Sequence, residues 1–395
     1  MKVSWFQFLF VILAVIVIAN PTMFAQAADT ADSGITVNAQ WTNYYQGLIS
    51  GTGSKEWDYG GRFDGYASFD TEKLGWWKDG TLSLHAEYHY GNLSSNLGGV
   101  LLSSNVGMLL PLSNGLELTN ISLIQSLGSR SSLIIGKINL LDLLANDPFF
   151  GGAGVSRFLN LAFSAPPSGL APPVTIGGIL SVQSTPQTGW TFMVYDPKDH
   201  TEDYWFDDVF EDGVNYSVSM KRSGLVHGRT SSLTITGMYS TADSIDLRDL
   251  LLPPDLQTDP KDDSWHASLQ LAHFLHESKP GAGDGWGFFS KFGVSDGNPN
   301  PYQAFFAGGF GGKGLFKSRP QDTFGLGYFN CNFSDDLQSV INPLIQFNDE
   351  HGIELFYDFV VNPDVRLALD VQYVNPAIGD DENAFIGGLR LRFRL

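Results

Sequence analysis

The chain has 395 residues, with 42 acidic against 23 basic side chains and a formal charge of −19, a balance that excludes a nucleic-acid surface built on a basic patch. Its hydrophobic fraction of 43% and mean hydropathy of −0.05 exclude a bundle of membrane helices, yet they suit a barrel whose strands turn only one face to lipid. Cys331 is the sole cysteine, so neither a disulfide framework nor a thiolate metal site is available.

Taken in order, Lys2 precedes the apolar run Trp5 to Ala19, and Ala25-Gln26-Ala27 supplies small residues for cleavage. Residues 1–27 read as a signal peptide. The remainder, 28–395, shows no linker and reads as one domain. A first strand is expected from Ile35 to Leu48. Phe63, Gly65, Ala67 and Phe69 then alternate with Arg62, Asp64, Tyr66, Ser68 and Asp70, and Leu82, Leu84, Ala86, Tyr88 and Tyr90 alternate with Ser83, His85, Glu87 and His89. The turn between them carries Trp76 and Trp77, where an interfacial girdle would sit.

Gly91 to Gly115 reads as a loop with an apolar insertion at Val100 to Leu102, followed by strands at Leu116 to Leu127 and Ser132 to Leu140. The stretch 142–175, with NDPFFGGAGVSRFLN and SAPPSGLAPP, is too irregular for a hairpin; it is the candidate for a loop that folds inward and narrows a lumen, or for an ordinary surface loop. Strands are expected at Thr175 to Val182, Trp190 to Tyr195, Asn215 to Lys221, Ser232 to Tyr239, near Trp265 to Leu271, at Trp286 to Phe292, Tyr302 to Gly308 and Asp322 to Phe333.

The clearest hairpin is His351 to Pro376. Ile353, Leu355, Tyr357, Phe359 and Val361 alternate with Glu354, Phe356, Asp358 and Val360, and across Asn362-Pro363-Asp364 the beat resumes. Strands of about nine residues match what a tilted strand needs to cross hydrocarbon. Phe385 to Leu395 repeats the pattern to the last residue. The count comes to roughly fourteen to eighteen strands, an even number of which closes a barrel with an aqueous lumen. The fold class is therefore all-β, a transmembrane antiparallel β-barrel with short periplasmic turns and longer outer loops.

The polar parity gives the candidate lumen wall: Arg62, Asp64, Tyr66, His85 and Glu87, with Lys137 from a later strand, and Arg62 with Glu87 as an ion pair. Glu354, Asp358, Arg366 and Asp370 share that parity and read as structural, Arg366 neutralising the acids. Arg157 is a candidate for the constriction or for a clamp onto the inner wall. Arg390, Arg392 and Arg394 form a cationic mouth or, as the favoured reading, bind acidic turns. Trp76, Trp77, Trp190, Trp265 and Trp286 read as girdle residues, and Trp205 is a candidate for stacking on a sugar ring or else part of a solvent-exposed loop. No HExxH set, nucleophile elbow or calcium-loop spacing is present, and the carboxylates of Glu354 and Asp358 are ordinary lumen lining, so no enzyme, cofactor or metal is expected.

Several stretches resemble the carbohydrate-selective outer-membrane porins of the B type: GGRFDGYASFDTEKLGWWKDGTLSLHAEYHYG at 60–91, GKINLLD at 136–142 leading to RFLN at 157–160, GWGFFSKFGVSDGNPNPYQAFFAGGFGGKG at 285–314, RPQDTFGLGYF at 319–329 and IELFYDFVVNPDVRLALDVQYVNP at 353–376. The resemblance implies sixteen strands, a monomer or a loosely associated trimer, and passive diffusion of small neutral carbohydrates such as glucose. The partners it implies are the sugars, outer-membrane lipid and lipopolysaccharide, the barrel-assembly machinery and further copies of the chain. The acidic balance keeps a general or cation-preferring porin for small hydrophilic solutes as the alternative.

Overall fold

The computed structural model describes residues 33–109, 115–145, 147–203, 206, 208–258, 260–379 and 382–395. The expected signal peptide, Trp205 and Asp207 lie outside the described residues. Period-two alternation recurs along the whole chain as sixteen strands. In order they are β1 (Ile35–Ser50), β2 (Trp57–Asp70), β3 (Gly80–Gly91), β4 (Leu116–Ser126), β5 (Ser131–Asn139), β6 (Val174–Thr185), β7 (Thr188–Tyr195) and β8 (Asn215–Val226). There follow β9 (Arg229–Ser240), β10 (Ser264–Glu277), β11 (Gly285–Ser295), β12 (Tyr302–Lys313), β13 (Thr323–Phe333), β14 (Glu350–Asn362), β15 (Val365–Asn375) and β16 (Ala384–Arg394). Each pairs antiparallel with its neighbour in sequence, and β1 pairs with β16, so the sheet closes with no free edge. Closure is what hydrocarbon demands, because an unpaired backbone amide at that depth costs several kcal/mol. Among the described residues no helix is long and apolar enough to cross a membrane.

The two faces of the wall separate cleanly by parity. Ile353, Leu355, Leu369, Val371 and Tyr373 on β14 and β15 are exposed, as are Phe192, Val218, Ile235, Leu269, Phe292, Phe310 and Leu326 on β7 to β13. These form the outward apolar face. Glu354, Asp358, Asp370 and Gln372, on the alternate positions, are buried. Connections at one end are short, as at 186–187, 227–228 and 363–364, and those at the other are long, as at 140–173, 196–214 and 241–263. By the rule for such barrels the short end faces the periplasm. The turn of Trp76 and Trp77 is at that end, with both indoles exposed and their rings 6.1 Å apart.

A second layer lies inside the barrel. Segment 140–173 carries two short helices, α1 (Leu140–Leu144) and α2 (Leu161–Ser164), and its apolar side chains pack on lumen-facing aromatics. Phe149 lies 5.0 Å from Phe274 and 5.7 Å from Phe289, Phe158 lies 4.8 Å from Phe356, and Phe163 lies 5.9 Å from Phe329, all between ring centroids. Strand β13 makes room for them with glycine. A Cβ on Gly325 would stand 2.5 Å from Phe158 Cζ, and one on Gly327 2.5 Å from Phe163 Cε1. Gly327→Val is therefore expected to cost about 1–3 kcal/mol by overpacking, read as a lower denaturant midpoint, and to expose segment 140–173 to protease. An unchanged midpoint and cleavage pattern would contradict the packing described.

Candidate functional site

Adjacent lumen-facing positions on β2 and β3 build a buried polar cluster, since the register sets Asp64 opposite Glu87, Tyr66 opposite His85 and Arg62 opposite His89. Arg62 Nε donates to both oxygens of Asp64 at 2.9 and 3.1 Å, a second bond runs from Nη2 to Asp64 Oδ1, and Nη2 lies 3.0 Å from Glu87 Oε2. The planar guanidinium thus bridges two carboxylates from neighbouring strands, a geometry that its fork of donors fits and an ammonium does not. Glu87 Oε1 also accepts from Thr119 Oγ1 at 3.0 Å and Asn139 Nδ2 at 2.9 Å. Oxygen and nitrogen atoms of Asp64, His85 and Glu87 lie within 4.8 Å of one another, a spacing a metal ion could use. The Arg62 guanidinium already supplies a positive charge to two of the three.

His85 turns this wall cluster into a contact with the inward layer. Its Nε2 faces Asp64 Oδ1 at 3.2 Å, its Nδ1 faces Asp142 Oδ2 of α1 at 2.8 Å, and Tyr66 stacks on its ring at 4.1 Å. Helix α1 begins where β5 ends because the Asn139 side chain accepts from the Leu141 amide and caps it. Farther along, Asp147 Oδ1 accepts from the amides of Phe149 and Phe150 at 2.9 Å, and its Oδ2 accepts from Gln270 Nε2 of β10 at 2.9 Å. The segment consequently spans the lumen from β3 to β10. Between the two acids Leu143 and Leu144 remain exposed.

Buried carboxylates seat the inner layer on the wall. Glu354 accepts from the amides of Leu159 at 2.5 Å and Asn160 at 3.0 Å, and Glu350 accepts from those of Leu101 at 2.7 Å and Leu102 at 2.8 Å. Gln372 adds a cross-link, accepting from Asn160 Nδ2 at 3.1 Å and donating to Ser104 O at 2.8 Å. The two inward segments also bond to each other through Val106 N to Leu159 O and Leu161 N to Ser103 O. Val100 and Leu102, which the sequence placed in a loop, are buried here against the barrel interior.

Of the residues singled out from sequence, Arg62, Asp64, Tyr66, His85 and Glu87 come together in one cluster. Lys137 stands apart. It pairs in register with Ile121 and Ile176, and its ammonium donates to the carbonyls of Thr201 at 3.3 Å and Asp203 at 2.5 Å. Arg157 stays within its own segment, donating to Ala145 O at 3.0 Å and Phe150 O at 3.3 Å. Arg366 bonds Asp358 at 3.0 Å but leaves Glu354 and Asp370 to other partners. Two arginines of β16 correct the expectation made for them. Arg390 donates to Gly154 O at 3.0 Å and Arg157 O at 2.9 Å, and Arg392 to Val155 O at 3.1 Å. Arg390 and Arg392 thus hold backbone carbonyls of the inward segment and do not form a cationic mouth or bind acidic turns; Arg390 also lies 3.7 Å from Asp358 of β14. Arg394, by contrast, is exposed, and its amide donates to Asp364 O of the β14–β15 turn at 2.8 Å.

Sequence reasoning missed Asp142, Asp147, Leu143, Leu144, Glu350 and Gln270. A faint signal existed for Asp147, because Asp before Pro-Phe-Phe is an Asx-turn pattern that caps the following amides. Glu350 shares the parity of Glu354 but precedes the stretch in which alternation was counted.

Comparisons with known proteins agree with this architecture. The family model described as carbohydrate-selective porin, OprB family, matches residues 54–395. Among curated protein sequences no significant match is found. Among solved structures, the high-pH structure of Pseudomonas putida OprB superposes with a TM-score of 0.79 at 18% identity, covering 92% of this chain and 95% of that one. Its low-pH structure gives 0.56 at 16% identity, with 92% and 94% covered. The outer membrane channel DcaP of Acinetobacter baumannii gives 0.54 at 10% identity, with 91% and 97% covered. At such identities the structural likeness speaks for the fold.

Proposed function

The chain belongs to the carbohydrate-selective porin, OprB family, and from this premise we propose that glucose-sized neutral sugars are the solutes its lumen selects. The protein is a sugar diffusion channel of the outer membrane, a conduit and not a catalyst. The observation that carries the finer proposal is the bar formed by residues 140–145 and 147, tied to β3 at one end and to β10 at the other. The passage lies between that bar and the wall of β4 to β10.

A neutral sugar offers hydroxyls around an apolar ring. Lumen-facing Ser219 and Thr236 on that wall are half-buried, with their hydroxyls 2.8 Å apart, and Thr191, Thr234, Ser268 and Gln270 share the face. Leu143 and Leu144 supply exposed apolar surface on the bar. Weak contacts of both kinds let a solute replace its hydration and still leave, which passive flux requires. Arg62, Asp64 and Glu87 act behind this surface as a support, since they are buried and bonded to one another. Export through residues 1–27 and assembly into the outer membrane by the barrel machinery belong to the same reading.

Liposome swelling with the refolded protein tests it. Glucose is expected to permeate faster than a trisaccharide and faster than sugar acids of its own size. Rates ordered by size alone, or led by cations, would replace the sugar-selective reading with that of a general porin.

A further inference from the structure

The outer surface carries a feature that permeation does not use. At the short-turn end, where hairpin β8–β9 runs on past its neighbours to the pair Val226 and Arg229, a cavity of about 710 Å³ opens. That size falls within the roughly 300–1,000 Å³ of small-molecule sites. Its lining includes Arg222, Val226, Leu233, Leu271, His273 and Phe288. The register puts Arg222 opposite Leu233, and Leu233 opposite Leu271, on the parity of the exposed Val218, Ile235 and Leu269. The pocket is thus continuous with the lipid-facing belt.

Charge distinguishes this place from the rest of the belt. In a chain of net charge −19, residues 213–242 contain no Asp or Glu but carry Lys221, Arg222 and Arg229. Arg222 is exposed and has no carboxylate partner among the described residues. The nearby acid Glu277 is engaged, accepting from Thr230 N at 2.9 Å, Thr230 Oγ1 at 2.6 Å and Gly283 N at 2.8 Å. His273 is held as part of the wall, its Nδ1 2.6 Å from Ser231 Oγ and its ring 5.3 Å from that of Phe288. An arginine on the outward face is costly at mid-membrane and tolerated near the interface, where phosphate is the anion at hand and a guanidinium binds it through two parallel bonds.

We propose that this pocket holds one anionic phospholipid of the periplasmic leaflet, its phosphate on Arg222 and one acyl chain running from Leu233 and Leu271 along the belt past Ile235 and Leu269. Two variants test the site. Arg222→Ala removes the phosphate partner. Gly224→Phe fills the cavity from a position where an added Cβ meets nothing within 4 Å.

The experiment is native mass spectrometry of the full chain in detergent, titrated with phosphatidylglycerol, with heat-modifiable gel mobility as the check on folding and glucose flux measured in parallel. One tightly retained phosphatidylglycerol is expected, with binding weakened at least about tenfold, or 1.4 kcal/mol, in each variant and glucose flux unchanged. Equal retention by all three proteins would overturn the proposal. So would loss only in Arg222→Ala together with displacement by inorganic phosphate, which would leave a phosphate site with no place for the chain.

Discussion

Glu354→Ala is expected to unseat the inward layer and widen the channel without opening the barrel. The Glu354 side chain accepts hydrogen bonds from the amides of Leu159 and Asn160, and a buried amide left without its acceptor costs about 1–3 kcal/mol. Alanine leaves those amides facing a buried gap. A loss near 3 kcal/mol changes the ratio of seated to unseated segment by about a hundredfold. Single-channel conductance should rise, the preference for glucose over a trisaccharide should fall, and protease should cut within 140–173, while heat-modifiable mobility stays that of a closed barrel. Glu354→Gln keeps one oxygen acceptor and should lie between. A variant with wild-type conductance and intact selectivity would show that the Phe158 and Phe163 packing seats the segment without the carboxylate.

Arg62→Ala should be the most damaging single change to stability. It leaves the carboxylates of Asp64 and Glu87, which are 0% and 4% exposed, without the guanidinium that lies between them. Removing one partner of a buried ion pair costs about 3–5 kcal/mol. The expected result is a large drop in denaturant midpoint and poor refolding yield. Arg62→Met combined with Asp64→Asn and Glu87→Gln removes these three charges together and should recover much of the loss. If the single variant is as stable as wild type, the cluster does not hold β2 to β3 in the way described. A triple variant no better than the single one would place the loss in shape and not in charge.

The barrel itself was legible because strand alternation is local: Ile353 to Val361 shows its two faces within nine residues, and a closed sheet only repeats that rule. Strand boundaries were less so. The strand beginning at Asn215 was read only to Lys221, because Ser223 and Gly224 break the alternation, yet β8 runs on to Val226. Helix α1 was invisible for another reason: five residues, Leu-Leu-Asp-Leu-Leu, carry no period, and its start depends on the Asn139 cap.

The site was legible in part for the same physical reason. Parity brought Arg62, Asp64, Tyr66, His85 and Glu87 to one face, because β2 and β3 are neighbours in sequence. What those residues and Glu354 hold was not legible. Glu354 meets Leu159 from 195 positions away, and its partner is a backbone amide, which leaves no trace in residue type. Gly325 and Gly327 leave the space that Phe158 and Phe163 fill, and a glycine in a strand does not announce what approaches it. Arg390 and Arg392 misled for a related reason, since their acceptors are carbonyls of a segment more than two hundred residues earlier.

The central claim is that two inward segments, each seated by its own carboxylate, set what the lumen passes. Planar-bilayer conductance with added glucose tests it most directly, comparing the wild type with Glu350→Ala, Glu354→Ala and the double variant, all verified as folded barrels. A larger conductance is expected in each single variant, the largest in the double variant, with a parallel loss of the current block caused by glucose. Wild-type conductance and glucose block in the double variant would contradict it.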